Sequence, residues 1–406
     1  MRALSIGNMY PPLSLGGYEL AWQSSVAQLR AAGHSVRVLT TDHGLGEAEA
    51  EERDPEVFRE LGWYWRDHEW PRLALRRRLA LERANARTIR RHLAEFQPDV
   101  VAWWAMGGMS LSLIEQVRRR GIAAAAIVCD DWPLYAPGVD QWTRLFRGRR
   151  RLAAPAAAVL TRIPARVDLA AVGPVLFASA SLRKRALAGG FAPPCGQVGH
   201  RGVERELFTA APRPPWRWRL LYVGRIDRRK GIELALEAIR GLPAEASLAV
   251  VGEGDAAHLA ELRALAEQPG LAGRVCFTHS ERDRLQQVYA EHDALLFPVR
   301  WEEPWGLVPL EAMAVGIPVV ASGRGGSAEY LRARRNCLIF DTDAGPEALA
   351  TAVRELAGDP QLRDRLREGG FETGERLTVE DYDRAIEALL RDALASGIRR
   401  RRDRRS

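Results

Sequence analysis

The sequence predicts two α/β domains, each a doubly wound, Rossmann-like fold built on a parallel sheet. Near the start, an apolar strand (2–7), a loop rich in glycine and proline, a helix (18–32) and a second strand (36–40) follow one another. The same succession recurs at residues 220–251. Strands that alternate with amphipathic helices in this way are typical of parallel sheets covered by helices. A chain of 406 residues is long enough for two such domains, each with its own core.

The composition is that of a soluble globular protein, with 47% hydrophobic and 27% charged residues. No apolar run approaches the roughly 20 residues that span a bilayer, and the first residues lead into a strand without a secretory segment. The four cysteines are scattered and form no CxxC pair, which suits a reducing compartment and argues against a zinc site. We therefore expect a cytoplasmic protein.

The net charge of +7 comes mostly from residues 398–406, where six arginines and one aspartate contribute +5. The rest of the chain carries only +2, so the charge does not predict a nucleic-acid groove in the folded part. We expect the basic tail, residues 398–406, to be disordered.

The first domain is predicted to cover residues 1–205. Its first loop contains Gly16 and Gly17, which either form only a tight turn or let the backbone approach a ligand closely. A later strand (122–128) ends in the sequence CDDWPLY, so Asp130 lies at the carboxyl end of a strand. This carboxylate either caps the next helix or orients a reacting hydroxyl group.

Residues 140–170 combine an arginine cluster with the apolar sequence LAAPAAAVL. Basic residues near an anionic lipid surface contribute on the order of 1 kcal/mol each, so one interpretation is a peripheral contact with the inner face of a membrane. The other is a solvated surface, and the apolar part is too short to anchor the chain by itself.

The second domain is predicted to cover residues 206–378. Its first strand (220–223) ends at Gly224, and Arg225 and Lys230 bracket the turn before the next helix. Only two of the 59 basic residues are lysines, so the position of Lys230 in this turn is informative. Two fixed cations beside a helix start can neutralise a diphosphate as it leaves.

The most informative stretch is 297–330, where the loop WEEPWGL leads from a buried strand into a helix that begins near Leu307. A helix start offers N–H groups, here those around Gly306, Leu307 and Val308, that hold a phosphate well.

Two carboxylates flank this anion site, Glu303 in the loop and Glu311 on the helix. Carboxylates repel phosphates, but they accept hydrogen bonds from the hydroxyl groups of sugars. A phosphate site between two carboxylates is therefore what a nucleotide sugar requires.

These segments resemble the retaining glycosyltransferases of family 4, the group 1 glycosyl transferases. The family pattern Glu-Pro-aromatic-Gly-Leu-Val, followed by Leu-Glu-Ala-Met, is present as EPWGLV and LEAM with the same Glu-x7-Glu spacing. The family's GR…KG motif and its opening PP…GG followed by GHxVxVLT are present as well. The resemblance implies the GT-B fold, two Rossmann-like doubly wound domains facing across a cleft, with a C-terminal helix (379–397) that crosses back to the first domain.

The resemblance also implies roles for individual residues. Glu303 contacts the hydroxyls of the donor sugar in the catalytic site, and Glu311 contacts the nucleotide ribose. The other implied donor-binding residues are Arg225 and Lys230 on the diphosphate, together with Gly16, Gly17, Gly224, Gly306, Leu307 and Val308. One position departs from the family: Cys129 stands where a histidine is common, which leaves the acid or base open, with Asp130 as a second catalytic candidate.

The function implied is transfer of a sugar, with retention of configuration, from a UDP- or GDP-type donor to a glycan, lipid-linked or small-molecule acceptor. Front-face attack, in which the leaving phosphate takes the acceptor proton, is implied too. No cofactor and no metal are expected, since the DxD pair Asp341 and Asp343 follows a strand where we expect a plain loop.

Three alternatives stay open. A nucleotide-sugar epimerase on the same fold needs acid and base residues that reach the sugar. A catalytically silent homologue binds the donor and serves as a partner in polysaccharide or glycolipid assembly, which Cys129 keeps open. An NAD-dependent enzyme fits the glycines of Gly252-x-Gly254-x-x-Ala257, although that fingerprint belongs with the first βα unit and here follows the second strand.

Overall fold

The computed structural model describes residues 1–14, 16–41, 54–66, 69–212 and 215–403, and of residues 398–403 the backbone alone. The chain forms two compact units. One contains Met1–Gly199 and Asp383–Ser406, and the other contains His200–Tyr382.

The first unit is an α/β domain in which strands alternate with helices. Its strands are β1 (Arg2–Ile6), β2 (Ser35–Thr41), β3 (Val57–Leu61), β4 (Val100–Trp103), β5 (Ala123–Val128), β6 (Val175–Phe177) and β7 (Gly196–Val198). Its helices include α1 (Gly17–Ala31), α2 (Leu75–Phe96), α3 (Ser112–Arg119), α4 (Trp132–Val139), α5 (Ala154–Thr161) and α6 (Ala180–Ala188).

The second unit repeats this alternation. Its strands are β8 (Arg219–Val223), β9 (Ser247–Val251), β10 (Val275–Thr278), β11 (Ala294–Phe297), β12 (Val319–Ala321) and β13 (Leu338–Ile339). Its helices are α7 (Ile232–Arg240), α8 (Ala256–Ala266), α9 (Leu285–Ala290), α10 (Val308–Val315), α11 (Pro346–Gly358), α12 (Pro360–Arg376) and the start of α13 (Val379–Asp403).

Every strand pairing within the two sheets is parallel. The strand order is β3-β2-β1-β4-β5-β6-β7 in the first sheet and β10-β9-β8-β11-β12-β13 in the second. Both orders reverse once, between β1 and β4 and between β8 and β11. In doubly wound folds, ligands bind outside the carboxyl ends of the strands at such a switch point. The predicted pair of doubly wound α/β domains is confirmed, and the segments after β8 and β11 become the first place to look for a site.

The central strands are apolar because helices cover both faces of a parallel sheet. All four residues of β4 and of β11 are buried. Backbone and helix approach closely at Gly7, which follows β1: a Cβ atom there would lie 2.6 Å from Cζ3 of Trp22 in α1. The indole nitrogen of Trp22 donates in turn to the hydroxyl of Ser5 at 2.6 Å. The ring of Trp22 is thus packed tightly against the end of β1, at the switch point of the first sheet.

The boundary between the units lies at Gly199/His200, ahead of the predicted boundary at residues 205/206. The intervening residues already pack within the second unit. The indole nitrogen of Trp305 donates to the carbonyl of Arg201 at 2.6 Å, and the N–H of Val203 donates to the carbonyl of Leu377 at 3.1 Å.

Two edge strands, β3 and β7, are not predicted by the sequence. β3 (VFREL) is mostly half-buried and carries two charged residues, while β7 has only three residues. Neither segment shows the alternation or the apolar run that predicts a strand.

The last helix, α13, runs to Asp403 instead of ending at residue 397 as predicted. Arginine favours helix, so the basic segment continues α13 rather than opening the predicted disordered tail; residues 404–406 lie outside the described residues. From Asp383 onward, α13 belongs to the first unit. The hydroxyls of Ser24 and Ser25 donate to the Asp383 carboxylate at 3.0 and 2.5 Å.

Two fully buried carboxylates lie in the core of the first unit, Glu82 on α2 and Asp140 directly after α4. Glu82 accepts hydrogen bonds from the hydroxyls of Tyr64 (2.7 Å) and Ser112 (2.8 Å). Burial, reinforced by the negative charge of Asp140, raises the pKa of Glu82 from 4.5 to about 8. Glu82 is therefore mainly protonated in the folded protein at neutral pH.

The raised pKa of Glu82 makes stability depend on pH. Below pH 4.5 the Glu82 carboxyl is protonated in the folded and the unfolded protein, and its contribution to the free energy of unfolding is fully present. That contribution is lost as the pH rises towards 8, because only the unfolded protein then releases the proton. Glu82→Gln stays uncharged, so we expect its free energy of unfolding to improve relative to the natural protein between pH 5 and 8, by at most about 4 kcal/mol. Urea denaturation at several pH values measures this.

The matched control for that measurement is Glu95→Gln, on the exposed side of the same helix. Its difference from the natural protein should not change with pH. Stability curves for Glu82→Gln and the natural protein that stay parallel from pH 5 to 8 would contradict the assignment.

Candidate functional site

The turn after β8 presents two cations. The strand ends at Val223, Gly224 follows, and a 3₁₀ turn (Arg228–Lys230) leads into α7. The following Gly231 has a φ of +68°, and a Cβ atom there would lie 2.1 Å from the carbonyl oxygen of Pro298. Only glycine lets the turn pack this closely on the segment after β11.

Lys230 reaches across to the loop that follows β11. Its Nζ lies 2.7 Å from Oε2 of Glu303, and the side chains of Lys230 and Glu303 are only 16% and 10% exposed. The indole nitrogen of Trp301 donates to the same carboxylate oxygen at 2.9 Å. Lys230, which the sequence predicts to bind the diphosphate, and Glu303, which it predicts to bind the sugar, are thus paired with each other.

The backbone of Glu303 is held as firmly as its side chain. The N–H of Gly326 donates to the Glu303 carbonyl at 2.6 Å. Gly325 has a φ of +67°, and a Cβ atom there would lie 2.4 Å from that carbonyl oxygen. The glycine pair after β12 therefore fixes the position of Glu303, a role that the sequence motif alone does not reveal.

Glu311, the second carboxylate, lies in the first turn of α10 and is 3% exposed. The hydroxyl of Tyr289 donates to its Oε2 at 2.9 Å, and Nη1 of Arg282 donates to its Oε1 at 3.0 Å. Arg282 also donates to Glu204 at 3.0 Å. Burial alone would lower the pKa of Arg282, but the charges of Glu311 and Glu204 raise it.

Tyr330 lies close enough to both carboxylates to feel their charges. Its hydroxyl donates to the carbonyl of Gly306, next to the start of α10 at Val308, whose N-cap is Leu307. Burial and then the charges of Glu303, Cys337 and Glu311 raise the pKa of Tyr330 well above its usual value. The helix start and both acids therefore belong to one site.

Arg225 carries the second cation of the β8 turn. Its Nη2 lies 3.3 Å from Oδ2 of Asp227, whereas its buried Nε has no hydrogen-bond partner among the described residues. The hydroxyl of Tyr222 donates to the Arg225 carbonyl at 3.0 Å. Burial would raise the pKa of Asp227, yet hydrogen bonds from Arg229 and its charge, together with that of Arg225, hold this pKa well below the usual value.

In the first unit, Asp130 lies beyond the carboxyl end of β5. Its Oδ2 accepts a hydrogen bond from the hydroxyl of Tyr135 at 2.9 Å, and its Oδ1 accepts from the N–H of Trp132 at 3.2 Å. Tyr135 packs beside Trp70, with 6.3 Å between the ring centroids, and both rings are more than a third exposed. The N-cap of α4 is Asp131; Asp130 accepts from the N–H of the first residue of that helix, beside a partly exposed aromatic surface.

Of the other two predicted residues, Gly16 is the N-cap of α1 and Gly17 is its first residue. The N–H of Gly16 donates to Oε2 of Glu19 at 3.1 Å. Gly16, Gly17 and Asp130 thus belong to the first unit, and the remaining predicted site residues belong to the second.

Neighbours that sequence reasoning missed are Trp301, Arg282, Tyr289 and Tyr330. Trp301 lies two residues before Glu303, so its position was a usable signal; the others have no local pattern. Within the described ranges, no group of three or more histidine, cysteine or acidic side chains is arranged to hold a metal ion.

Two family descriptions match the chain. Residues 204–373 match Glycosyl transferases group 1, and residues 16–171 match the Glycosyl transferase 4-like domain. The first range contains all the predicted site residues of the second unit, and the second contains Gly16, Gly17 and Asp130.

Among relatives, the D-inositol 3-phosphate glycosyltransferase of Xylanimonas cellulosilytica is 34% identical over 219 residues, which is 49% of this chain and 51% of the relative. The chain thus spans about half the length of the curated relatives that it matches at this level of identity.

Solved structures match over almost the whole chain. Sucrose-phosphate synthase from Thermosynechococcus elongatus aligns with a TM-score of 0.75 and 20% identity over 97% of this chain and 99% of that one. HepE of Anabaena, in complex with UDP-glucose, aligns with a TM-score of 0.71 and 18% identity over 97% of this chain and 100% of that one. These similarities establish the fold, which is GT-B.

The ion pair between Lys230 and Glu303 should be strongly coupled, because both side chains are largely buried. In a double-mutant cycle with Lys230→Met and Glu303→Gln, we expect a coupling energy of about 2 kcal/mol, since either single change leaves a buried charge unpaired. Urea denaturation of the four proteins measures it.

An exposed pair in the same unit provides the control: Arg335 and Glu372 lie 3.0 Å apart, and their side chains are 73% and 64% exposed. Their coupling should stay below about 0.5 kcal/mol. A coupling for Lys230 and Glu303 as small as this control would refute the importance of the buried pair.

Proposed function

The chain belongs to the group 1 glycosyl transferases, the glycosyltransferases of family 4 with the GT-B fold, and on that premise we propose that it transfers a sugar from a nucleoside-diphosphate sugar to an acceptor with retention of the anomeric configuration. The proposal includes a UDP- or GDP-type donor and requires neither a metal nor a cofactor. The observation that carries it is the Lys230–Glu303 pair at the switch point of the second sheet.

The groups around this pair fit a diphosphate. Arg225 and Lys230 supply two cations on one turn. The buried Nε–H group of Arg225 has no hydrogen-bond acceptor among the described residues, so it can donate to a phosphate. The N–H groups at the start of α10 add the positive end of a helix. Charge that develops on the leaving phosphate in the transition state is therefore met by fixed positive groups.

The two carboxylates fit the sugars on either side of that diphosphate. Glu303 is proposed to accept hydrogen bonds from the hydroxyls of the transferred sugar, and Glu311 from those of the ribose. Glu311 is held for this by Arg282 and Tyr289, so its orientation does not depend on the ligand. The complexes of HepE with UDP and with UDP-glucose support a uridine donor for this fold.

The proposed step needs no protein base. The acceptor oxygen bonds to the anomeric carbon on the face from which the bond to the β-phosphate oxygen breaks, and the acceptor proton passes to the departing phosphate oxygen. The configuration at the anomeric carbon is thereby retained. Arg225 and Lys230 stabilise the phosphate as it gains charge, and Glu303 orients the sugar.

The acceptor surface is proposed to lie on the first unit, with Gly16, Gly17 and Asp130 among its residues. The carboxylate of Asp130, beyond the carboxyl end of β5, is proposed to orient an acceptor hydroxyl by accepting its hydrogen bond. The exposed rings of Trp70 and Tyr135 beside it suit the apolar face of a sugar ring. A glycan or glycolipid acceptor fits this surface better than a purely anionic small molecule.

A peripheral contact with an anionic membrane is part of the same proposal, supported by the exposed arginines between residues 144 and 162. Among the described residues, no helix has the length and hydrophobicity needed to cross a bilayer.

A donor-binding protein without catalytic activity is the second candidate, and one observation favours it. Cys129 occupies the position where a histidine is common in the resembled family, directly before Asp130. Such a protein would bind the nucleoside-diphosphate sugar but would neither hydrolyse nor transfer it.

The function is tested by incubating the protein with a set of UDP- and GDP-sugars in EDTA and measuring the nucleoside diphosphate released by slow hydrolysis without an acceptor. We expect release with at least one donor, and Lys230→Ala to lower its rate by on the order of 10²- to 10³-fold, the effect of losing one charge contact in the transition state.

Lys184→Ala is the control, since Lys184 is the chain's other lysine and is exposed on α6; its rate should match the natural protein. A near-normal hydrolysis rate in Lys230→Ala would contradict the proposal that Lys230 binds the diphosphate. Donor binding without any turnover, across a wide panel of acceptors, would identify the silent partner instead.

A further inference from the structure

The three most exposed large hydrophobic side chains among the described residues lie in one short segment of the first unit. Leu152 is 83% exposed, Val159 81% and Leu160 85%. Leu152 lies on the 3₁₀ turn Gly148–Ala153, and the other two lie on α5. A local group of aliphatic side chains in water marks a surface that binds a partner.

The segment that presents them is anchored at both ends. Trp142 and Ile163 are buried and pack with Ala86 of α2. The indole nitrogen of Trp142 donates to the carbonyl of Pro164 at 2.9 Å, which ties the two ends together. The hydrophobic side chains therefore project from a fixed base in the core of the first unit.

The charge of this segment has one sign. Residues 141–167 contain seven arginines and no acidic residue. All seven are exposed: Arg144, Arg147, Arg149, Arg150, Arg151, Arg162 and Arg166. Exposed aliphatic groups surrounded by arginines match the two layers of an anionic bilayer surface, the charged headgroups and the acyl chains beneath them.

We propose that this docking surface, formed by Leu152, Val159, Leu160 and the seven arginines, rests on an anionic lipid bilayer. The arginines bind the headgroups, and the aliphatic side chains enter the boundary with the acyl chains. A second copy of the chain is a poor partner, because a symmetric contact would bring the arginines of both copies together. Nucleic acid is poorer still, since phosphates leave aliphatic side chains in water.

The inference deepens the membrane contact in the proposed function and points to an acceptor carried by a lipid. Vesicle binding is measured without donor or acceptor, so the docking surface and the sugar transfer can fail separately.

The test is flotation of the full chain with vesicles of phosphatidylcholine alone or with 30% phosphatidylglycerol. We expect binding only to the anionic vesicles, weakened by 0.5 M salt. Changing Leu152, Val159 and Leu160 together to serine should lower the partition constant about 30-fold. Changing Arg149, Arg150 and Arg151 together to serine should lower it about as much.

Matched controls replace equivalent exposed residues elsewhere. One is the serine variant of Leu75, Leu187 and Ile339, and the other is the serine variant of Arg332, Arg334 and Arg335. Both should bind within about threefold of the natural protein. The basic C-terminal tail is the same in every variant, so it cannot produce a difference between them.

Three results would overturn the proposal. One is no binding of the natural protein to anionic vesicles, and another is equal binding by the docking-surface variants and the controls. The third is a dimer, seen by light scattering, that becomes a monomer when the three aliphatic residues are changed, since the surface would then bind a second copy.

Discussion

The candidate site depends on one ion pair, between Lys230 and Glu303, which joins positions 73 residues apart in the chain. The pair ties the turn after β8 to the loop after β11, the two segments that flank the reversal of strand order. A largely buried charge is stable only beside a counter-charge. The lysine proposed to bind a phosphate and the glutamate proposed to bind a sugar can therefore share one pocket, because each neutralises the other.

The same principle recurs around the pair. Glu311 is matched by Arg282, and Arg225 by Asp227. In a pocket that contained only cations, the side chains would repel one another. In a pocket that contained only carboxylates, they would repel a diphosphate. Alternating charges suit the proposed ligand, which is anionic in the middle and rich in hydroxyl groups at both ends.

Much of this arrangement was predictable from the sequence. Buried strands followed by glycine loops predicted two parallel-sheet domains, and the motif EPWGLV with its Glu-x7-Glu spacing pointed to Glu303 and Glu311, whose ligand roles stay predictions. Arg282 and Tyr289 were not predictable, because they meet Glu311 only through the tertiary packing of α9 and the 3₁₀ turn before it (Arg282–Arg284) near α10. The direct pairing of Lys230 with Glu303 was missed for the same reason: it arises from the order of the strands, and no local sequence pattern records that order.

The boundary between the domains and the edge strand β3 were also not predictable from the sequence, for a different reason. Residues 200–205 join the second unit through contacts with Trp305 and Leu377, which lie more than a hundred positions away. β3 pairs with β2 although its own sequence is half polar. In both cases, tertiary contacts override a weak local preference.

For Lys230 to bind a phosphate it must exchange Glu303 for it, and calorimetric titration with UDP and GDP measures this exchange. Neither ligand carries the transferred sugar, so Glu303 acts on them only as a competitor for Lys230. We expect Glu303→Gln to bind the preferred nucleoside diphosphate about threefold or more tightly than the natural protein, and Lys230→Met to bind it at least about tenfold more weakly. Weaker binding by Glu303→Gln, or unchanged binding by Lys230→Met, would contradict it.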